Sequence, residues 1–175
     1  MIMIVNHKIL NIRNIETWPL EEVKNYLRIT SDYDDVLLIG LVETATNIAE
    51  SFTGLSLHNR HILCEIKNAK PIIKLKHVPV LRLTGVRLAS KDEKEDISDD
   101  FGFVETSNST LHLASHYAGK DVEIEYESGY EEHIPREIQH GILMHVASMY
   151  EHSEDGTSIN SEIKDLYLPY RVMKI

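Results

Sequence analysis

The 175-residue sequence has a single cysteine, Cys64. An intrachain disulfide is therefore excluded, and a reducing compartment fits. Basic patches are also missing. Lys and Arg number 18 against 28 Asp and Glu, for a net charge of −10 and a pI near 5.4. Proteins that grip nucleic acid by its phosphates need clustered cations, and here the cations are scattered singly or in pairs. No run approaches the roughly 18 apolar residues of a membrane span. The opening "MIMIVNHKILNIRNI" is broken by Asn, His, Lys and Arg, so it lacks the apolar core of a signal peptide. A cytosolic protein is expected, with no membrane partner. Internal repeats and low-complexity linkers are likewise absent.

The signatures of common enzymes are missing too. The sequence contains no GxSxG elbow, no GxxxxGK[ST] loop and no GxGxxG turn, the motifs that seat a serine nucleophile or cradle phosphates. Adjacent acids such as Asp34–Asp35, Asp99–Asp100 and Glu131–Glu132 diverge on regular elements, whereas acid–base pairs must converge. Cys64 alternates with apolar neighbours in "RHILCEIK" and reads as a small buried hydrophobe.

The histidines are the remaining candidates for chemistry. A zinc helix of the protease type places two His four residues apart with a Glu between them. His140 and His145 are five apart, about 140° around a helix, and His145 and His152 lie roughly 10 Å apart along its axis. His112 and His116 are four apart, but "HLASH" reads as strand and loop. His133 stands before the helix. No metal, catalytic residue or cofactor is expected, and the chain is expected not to be an enzyme. A small His-dependent metal enzyme is the rival reading that this arrangement disfavours.

What is present is a 42% hydrophobic composition, enough for one soluble domain with a core. Its order is helix, strands, helix. "PLEEVKNYL" starts with a proline suited to a first helical turn, then places Leu20, Val23, Tyr26 and Leu27 at helical spacing, with acids early and Lys24 and Arg28 late. Ser31 or Asp32 in "SDYDD" is a candidate cap for a longer helix from about 34 to 52. Leu38, Leu41, Val42, Ala45, Ile48, Ala49 and Phe52 form its apolar stripe. Gly40 inside it costs about 1 kcal/mol against Ala, which suggests either close packing or tolerance, and Gly54 is a natural stop.

The middle shifts to period two. In "DVEIEYESGY", Val122, Ile124 and Tyr126 point one way and Glu123, Glu125 and Glu127 the other. "PIIKLKHVPVLRLTGVRLA" gives short extended runs broken by Pro79 and Gly85. "SKDEKEDISDD" reads as a mobile, solvated hairpin tip. The end is helical again: Pro135 precedes a helix whose Ile138, Ile142, Val146 and Tyr150 repeat every four residues. A loop, "SEDGTSIN", and a short helix near 162–166 follow. The first two helices do not suit a helix-turn-helix, because residues 29–59 carry no Lys or Arg and Asp34, Asp35, Glu43 and Glu50 would repel phosphates.

The order of these pieces resembles the tailed-phage head–tail connector family, the head-completion adaptors of DNA packaging. The opening helix carries Leu20, Glu21, Glu22, Val23, Lys24, Leu27 and Arg28. The long helix ends in Glu50, Thr53 and Gly54. A strand runs into Gly129 and Tyr130, a helix ends in "LMHVASMYEH", and "LYLPYRV" closes the chain. Residues 60–127, with "HVPVLRLTGV", resemble the β-rich insertion of a longer subgroup. His145 departs from the pattern, which favours an apolar residue there.

The resemblance implies an α+β fold: an α-helical bundle from both ends of the chain with a small antiparallel β subdomain inserted. As one connector domain, 17–57 and 131–175 would be the helical parts and 58–130 the insertion. It implies a structural protein of the virion neck, assembled in the host cytoplasm. Copies would form a homo-oligomeric ring contacting the portal protein and a tail or stopper protein, with DNA passing through without sequence-specific binding. Another neck or tail-completion role is the alternative. The residues expected to carry packing and assembly are Leu38, Leu41, Val42, Ala45, Ile48, Phe52, Ile138, Ile142, Val146 and Tyr150. An acidic subunit would give the channel a negative potential that does not trap DNA.

Overall fold

The computed structural model describes residues 3–13, 19–89, 94–105, 109–131, 133–151 and 158–172. Trp18, His152 and much of the "SEDGTSIN" loop lie outside them. In chain order the elements are β1 (Ile4–Arg13), α1 (Leu20–Leu27), α2 (Asp35–Thr53), β2 (Asn59–Lys67), β3 (Ile72–Lys74), β4 (Val80–Ala89), β5 (Lys94–Asp96), β6 (Gly102–Glu105), β7 (Thr110–Leu113), β8 (Val122–Ser128), α3 (Arg136–Glu151) and α4 (Ser161–Tyr167). The fold mixes α and β, with antiparallel sheets throughout. The chain divides into two compact units, one of residues 1–15 and 58–131, the other of residues 16–57 and 132–175.

The first unit holds a five-stranded sheet in the order β1-β2-β8-β4-β5 and a three-stranded sheet β3-β7-β6. Both feed one apolar core, with Ile62, Cys64, Val86, Ile124 and Tyr126 from the large sheet and Ile73, Leu111 and Leu113 from the small one. The alternation in β8 holds: Val122, Ile124 and Tyr126 are fully buried. The glutamates between them meet cations on β4 and β5. Glu127 accepts two hydrogen bonds from Arg82 at 2.9 and 3.0 Å, Glu125 one from Arg87 at 2.6 Å, and Glu123 one from Lys94 at 2.7 Å. The two arginine pairs join the neighbouring strands β4 and β8, and cross-strand opposite charges stabilise such pairing; the Lys94 pair reaches across β4.

Three expectations need correction here. The sequence reading placed no strand before the first helix, yet β1 runs ten residues along β2, with a register shift between Ile9 and Asn11. Gly85 does not break its run. It lies within β4, at a register shift between Leu83 and Gly85, the bulge that glycine commonly marks inside a strand. The acidic tip is also more ordered than expected. Lys94–Asp96 form β5, Ile97 is buried in the core, and Phe101 packs against it. One apolar anchor and the Lys94–Glu123 pair hold this stretch down, and only its residues 90–93 lie outside the description.

The second unit holds the four helices. The long helix is α2, close to its expected bounds, and it ends at Gly54 in the left-handed conformation with φ 78°, which glycine adopts without strain. Gly40 is exposed, and a Cβ there would meet nothing within 4 Å, so tolerance explains it. Its counterpart on α3 is different. A Cβ on Gly141 would stand 2.5 Å from Cε1 of Tyr167, so only glycine admits the ring that α4 lays across α3.

Candidate assembly surfaces

Within the helical unit α2 packs against α3, and α3 against α4. Leu38, Ala45, Ile138, Ile142 and Val146 of the expected set are buried. Leu41, Val42, Ile48, Phe52 and Tyr150 are half-buried at the flanks. The Tyr150 hydroxyl donates to Asp34 at 2.8 Å, which joins the end of α3 to the start of α2. Asn160 caps α4 by accepting from the Ile163 N–H at 2.9 Å. The closing "LYLPYRV" is tied down at two points: Tyr170 donates to Glu137 at 2.7 Å, and the Val172 N–H donates to the Thr53 carbonyl at 2.7 Å.

Lys24 was expected to serve the helix dipole of α1. Instead it is 5% exposed, and its ammonium reaches Asp32 at 2.5 Å and Asp35 at 3.0 Å. The acidic turn therefore pairs with this cation. Neither Ser31 nor Asp32 caps α2, whose cap residue is Asp34, with no side-chain hydrogen bond to the helix. Ser31 accepts from the Tyr33 N–H instead. The two carboxylates raise the Lys24 pKa, and the Lys24 hydrogen bond and charge hold the Asp32 carboxyl below its ordinary value.

Among the described residues, His112, His116, His133, His140 and His145 do not converge on one point. His133 and His140 are exposed, and His140 stands edge-on to Tyr26. His145 is fully buried on α3, whose Ile142, Leu143, Val146 and Met149 are also buried. His112 lies on β7 and stacks on Phe103 with ring centroids 4.4 Å apart, and His116 lies in a single 3-10 turn. Among the described residues, no three His, Cys, Asp or Glu are placed to hold a metal ion. Cys64 sits in the sheet core, where burial, reinforced by Glu65, pushes its thiol up to about 12. A thiol held this far from ionisation is a poor nucleophile. No helix among the described residues is long and apolar enough to cross a membrane.

Among the described residues, the exposed large hydrophobics include two clusters that bear on assembly. One lies at the start of α2, where Tyr33 is 92% and Val36 85% exposed, with Leu37 and Ile39 more than half exposed. The exposed Gly40 follows one turn after Val36 on the same side of the helix. The other is β1, the edge of the large sheet, where Ile4, Ile9, Leu10 and Ile12 are exposed. The sequence reading missed both, since it assigned every apolar residue of the α2 stripe to packing and gave β1 no structure. The signal for the first was available: Val36, Leu37 and Ile39 precede or flank the stripe rather than lying in it.

Comparison with known proteins places these features in context. The profile of the phage gp6-like head–tail connector protein family matches residues 18–100. No curated protein matches the chain. Among solved structures, a chain in the neck of an empty gene transfer agent particle, determined with C6 symmetry, aligns with a TM-score of 0.76 at 17% identity, covering 97% of each chain. A chain in the neck of the native particle, determined with C12 symmetry, aligns at 0.73 and 16% identity, again over 97% of both. A chain in the native virion of such a particle aligns at 0.72 and 17% identity, over 97% of this chain and 96% of that one. These TM-scores and coverages show a shared fold across nearly the whole chain. Over residues 18–100 this chain therefore matches the phage gp6-like head–tail connector family, the family that its sequence motifs resemble.

Proposed function

We propose that the chain is a structural head–tail connector subunit of a tailed-phage or prophage particle. Copies of it close into a ring in the virion neck, between the portal protein and a tail or stopper protein, after assembly in the host cytoplasm. The observation that carries this reading is the uncovered apolar start of α2 in a chain matched by a connector family. Tyr33, Val36 and Leu37 offer aromatic and aliphatic area of the kind that anchors protein interfaces. The helices contributed by both ends of the chain form a bundle whose buried stripes keep this surface rigid. The C6 and C12 symmetries of the particles that hold the aligned chains favour a ring. Such a ring needs head-to-tail, heterologous contacts that close.

On this reading the protein has no catalytic residue and needs no cofactor. A subunit of net charge −10 forms a ring that DNA passes through without being held. Electron microscopy of the purified full-length protein, alone at rising concentration and mixed with its portal protein, tests the proposal. Rings of one diameter are expected, and Val36→Glu with Leu37→Glu should leave folded monomers with unchanged circular dichroism. A single monomeric species under every condition would overturn the ring, and rings unaffected by the double substitution would overturn the role of α2.

A further inference from the structure

We infer that β1 of one copy pairs edge to edge with β5 of the next, so that the five-stranded sheets join into a continuous belt around the ring. The inference rests on the ring reading above and adds a second contact to it. It starts from a sheet with two open edges, β1 and β5. A heterologous contact requires two different surfaces that complement each other, and opposite edges of one sheet supply them. β1 is the edge most in need of a partner. It is ten residues long, contains no proline, and exposes Ile4, which is 60% accessible, together with Ile9, Leu10 and Ile12. An open apolar edge of this length invites pairing with another chain.

The charges identify the occupant as a second copy. Within an acidic protein β1 carries Lys8 and no acid, whereas β5 exposes Glu95 and Asp96, its Lys94 being paired with Glu123, and the turn after it exposes Asp99 and Asp100. The register also puts the charges on one face. Lys8 lies opposite Leu63, Leu63 opposite Glu125, and Glu123, two residues along, opposite Arg87. Arg87 in turn lies opposite Asp96. Lys8 and Asp96 therefore project from the same side of the sheet, at its two edges. The strand directions agree as well. Each step from β1 through β2, β8 and β4 to β5 is antiparallel, so β1 and β5 run the same way. Copies related by rotation about a ring axis keep that direction, so the joint is a parallel pairing. Because β5 has three residues, the joint is short and supplements the helical contact.

Carbodiimide coupling of the assembled full-length protein, prepared as a mixture of light and heavy isotope-labelled chains, tests this directly. Mass spectrometry should find Lys8 joined to Asp96 or Glu95 in mixed-isotope peptides, which prove that the link is between copies. Lys8→Glu should raise the concentration needed for half assembly about ten-fold, roughly 1.4 kcal/mol, with circular dichroism of the monomer unchanged. Rings without this crosslink, or rings in which Lys8 couples to another surface, would overturn the strand joint and leave the ring reading standing. Failure to assemble under any condition would overturn the ring itself. Crosslinks of Lys8 only to the portal or tail protein would show that β1 is covered by a different chain.

Discussion

The two units handle charge and space differently. In the sheet unit, three acids of β8 meet three cations of β4 and β5 along one row, from the buried Glu123 to the more open Arg82–Glu127 pair. In the helical unit, one buried ammonium meets two carboxylates of a single turn. The most open of these pairs, Arg82–Glu127, contributes little because solvent screens it, and a row tolerates the loss of that member. The Lys24 cluster has no such redundancy: removing the cation leaves two neighbouring acids facing each other. The helical unit also depends on close fit at Gly141, where Tyr167 lies, while a Cβ on Gly40 of α2 would meet nothing within 4 Å. Local consequences in the helices should therefore be large and specific, and those on the sheet's outer face small and distributed.

The largest break is expected from Ile142→Asp. Ile142 is fully buried on α3, and an unpaired charge there costs several kcal/mol. The protein should lose its helical signal in circular dichroism or fail to assemble. A stable, assembling variant would refute the packing of α2 on α3. Next come the two glycines, as a matched pair. Gly141→Ala should destabilise by about 1–3 kcal/mol through overpacking against Tyr167, whereas Gly40→Ala should stabilise by up to about 1 kcal/mol through helix propensity. Urea denaturation of both variants reads the opposite signs.

A smaller and pH-dependent effect separates Lys24 from the sheet's ion pairs. Lys24 lowers the Asp32 pKa in the folded state, so the stabilisation it provides is fully present above the ordinary carboxylate range, near pH 4, and fades as pH falls through the lower folded value. Lys24→Met should therefore lower the melting temperature at neutral pH, with the gap to the parent narrowing below about pH 4. A gap that stays constant into acid would show that the lost contact is apolar. Arg82→Ala, on the sheet, should shift melting least of all. If it matches Lys24→Met at neutral pH, the contrast between row and cluster fails.

These differences also explain what could be read before the structure. The helices were legible because Leu38, Ala45 and Ala49 on α2, and Ile138, Ile142 and Val146 on α3, recur at helical spacing and face the interior. The strand β8 was legible because both of its faces follow period two: one is core, the other pairs with cations. The strand β1 was not. It is an edge covered on one side only, and its register shift between Ile9 and Asn11 breaks the alternation that would have betrayed it. The Lys24 cluster was hidden for another reason. Its partners, eight and eleven residues away, are joined by a turn whose path helical periodicity does not specify. The uncovered start of α2 was masked by the adjoining apolar stripe, because composition alone does not say which leucine is inside.

On the proposed reading, this 20.1 kDa chain closes on itself through head-to-tail contacts. Native mass spectrometry of the assembled full-length protein tests it most directly. The prediction is one dominant mass equal to a single whole-number multiple of the subunit, unchanged as concentration rises, because a closed ring has no free ends. A ladder of masses that lengthens with concentration would show contacts that do not close, and would contradict the claim.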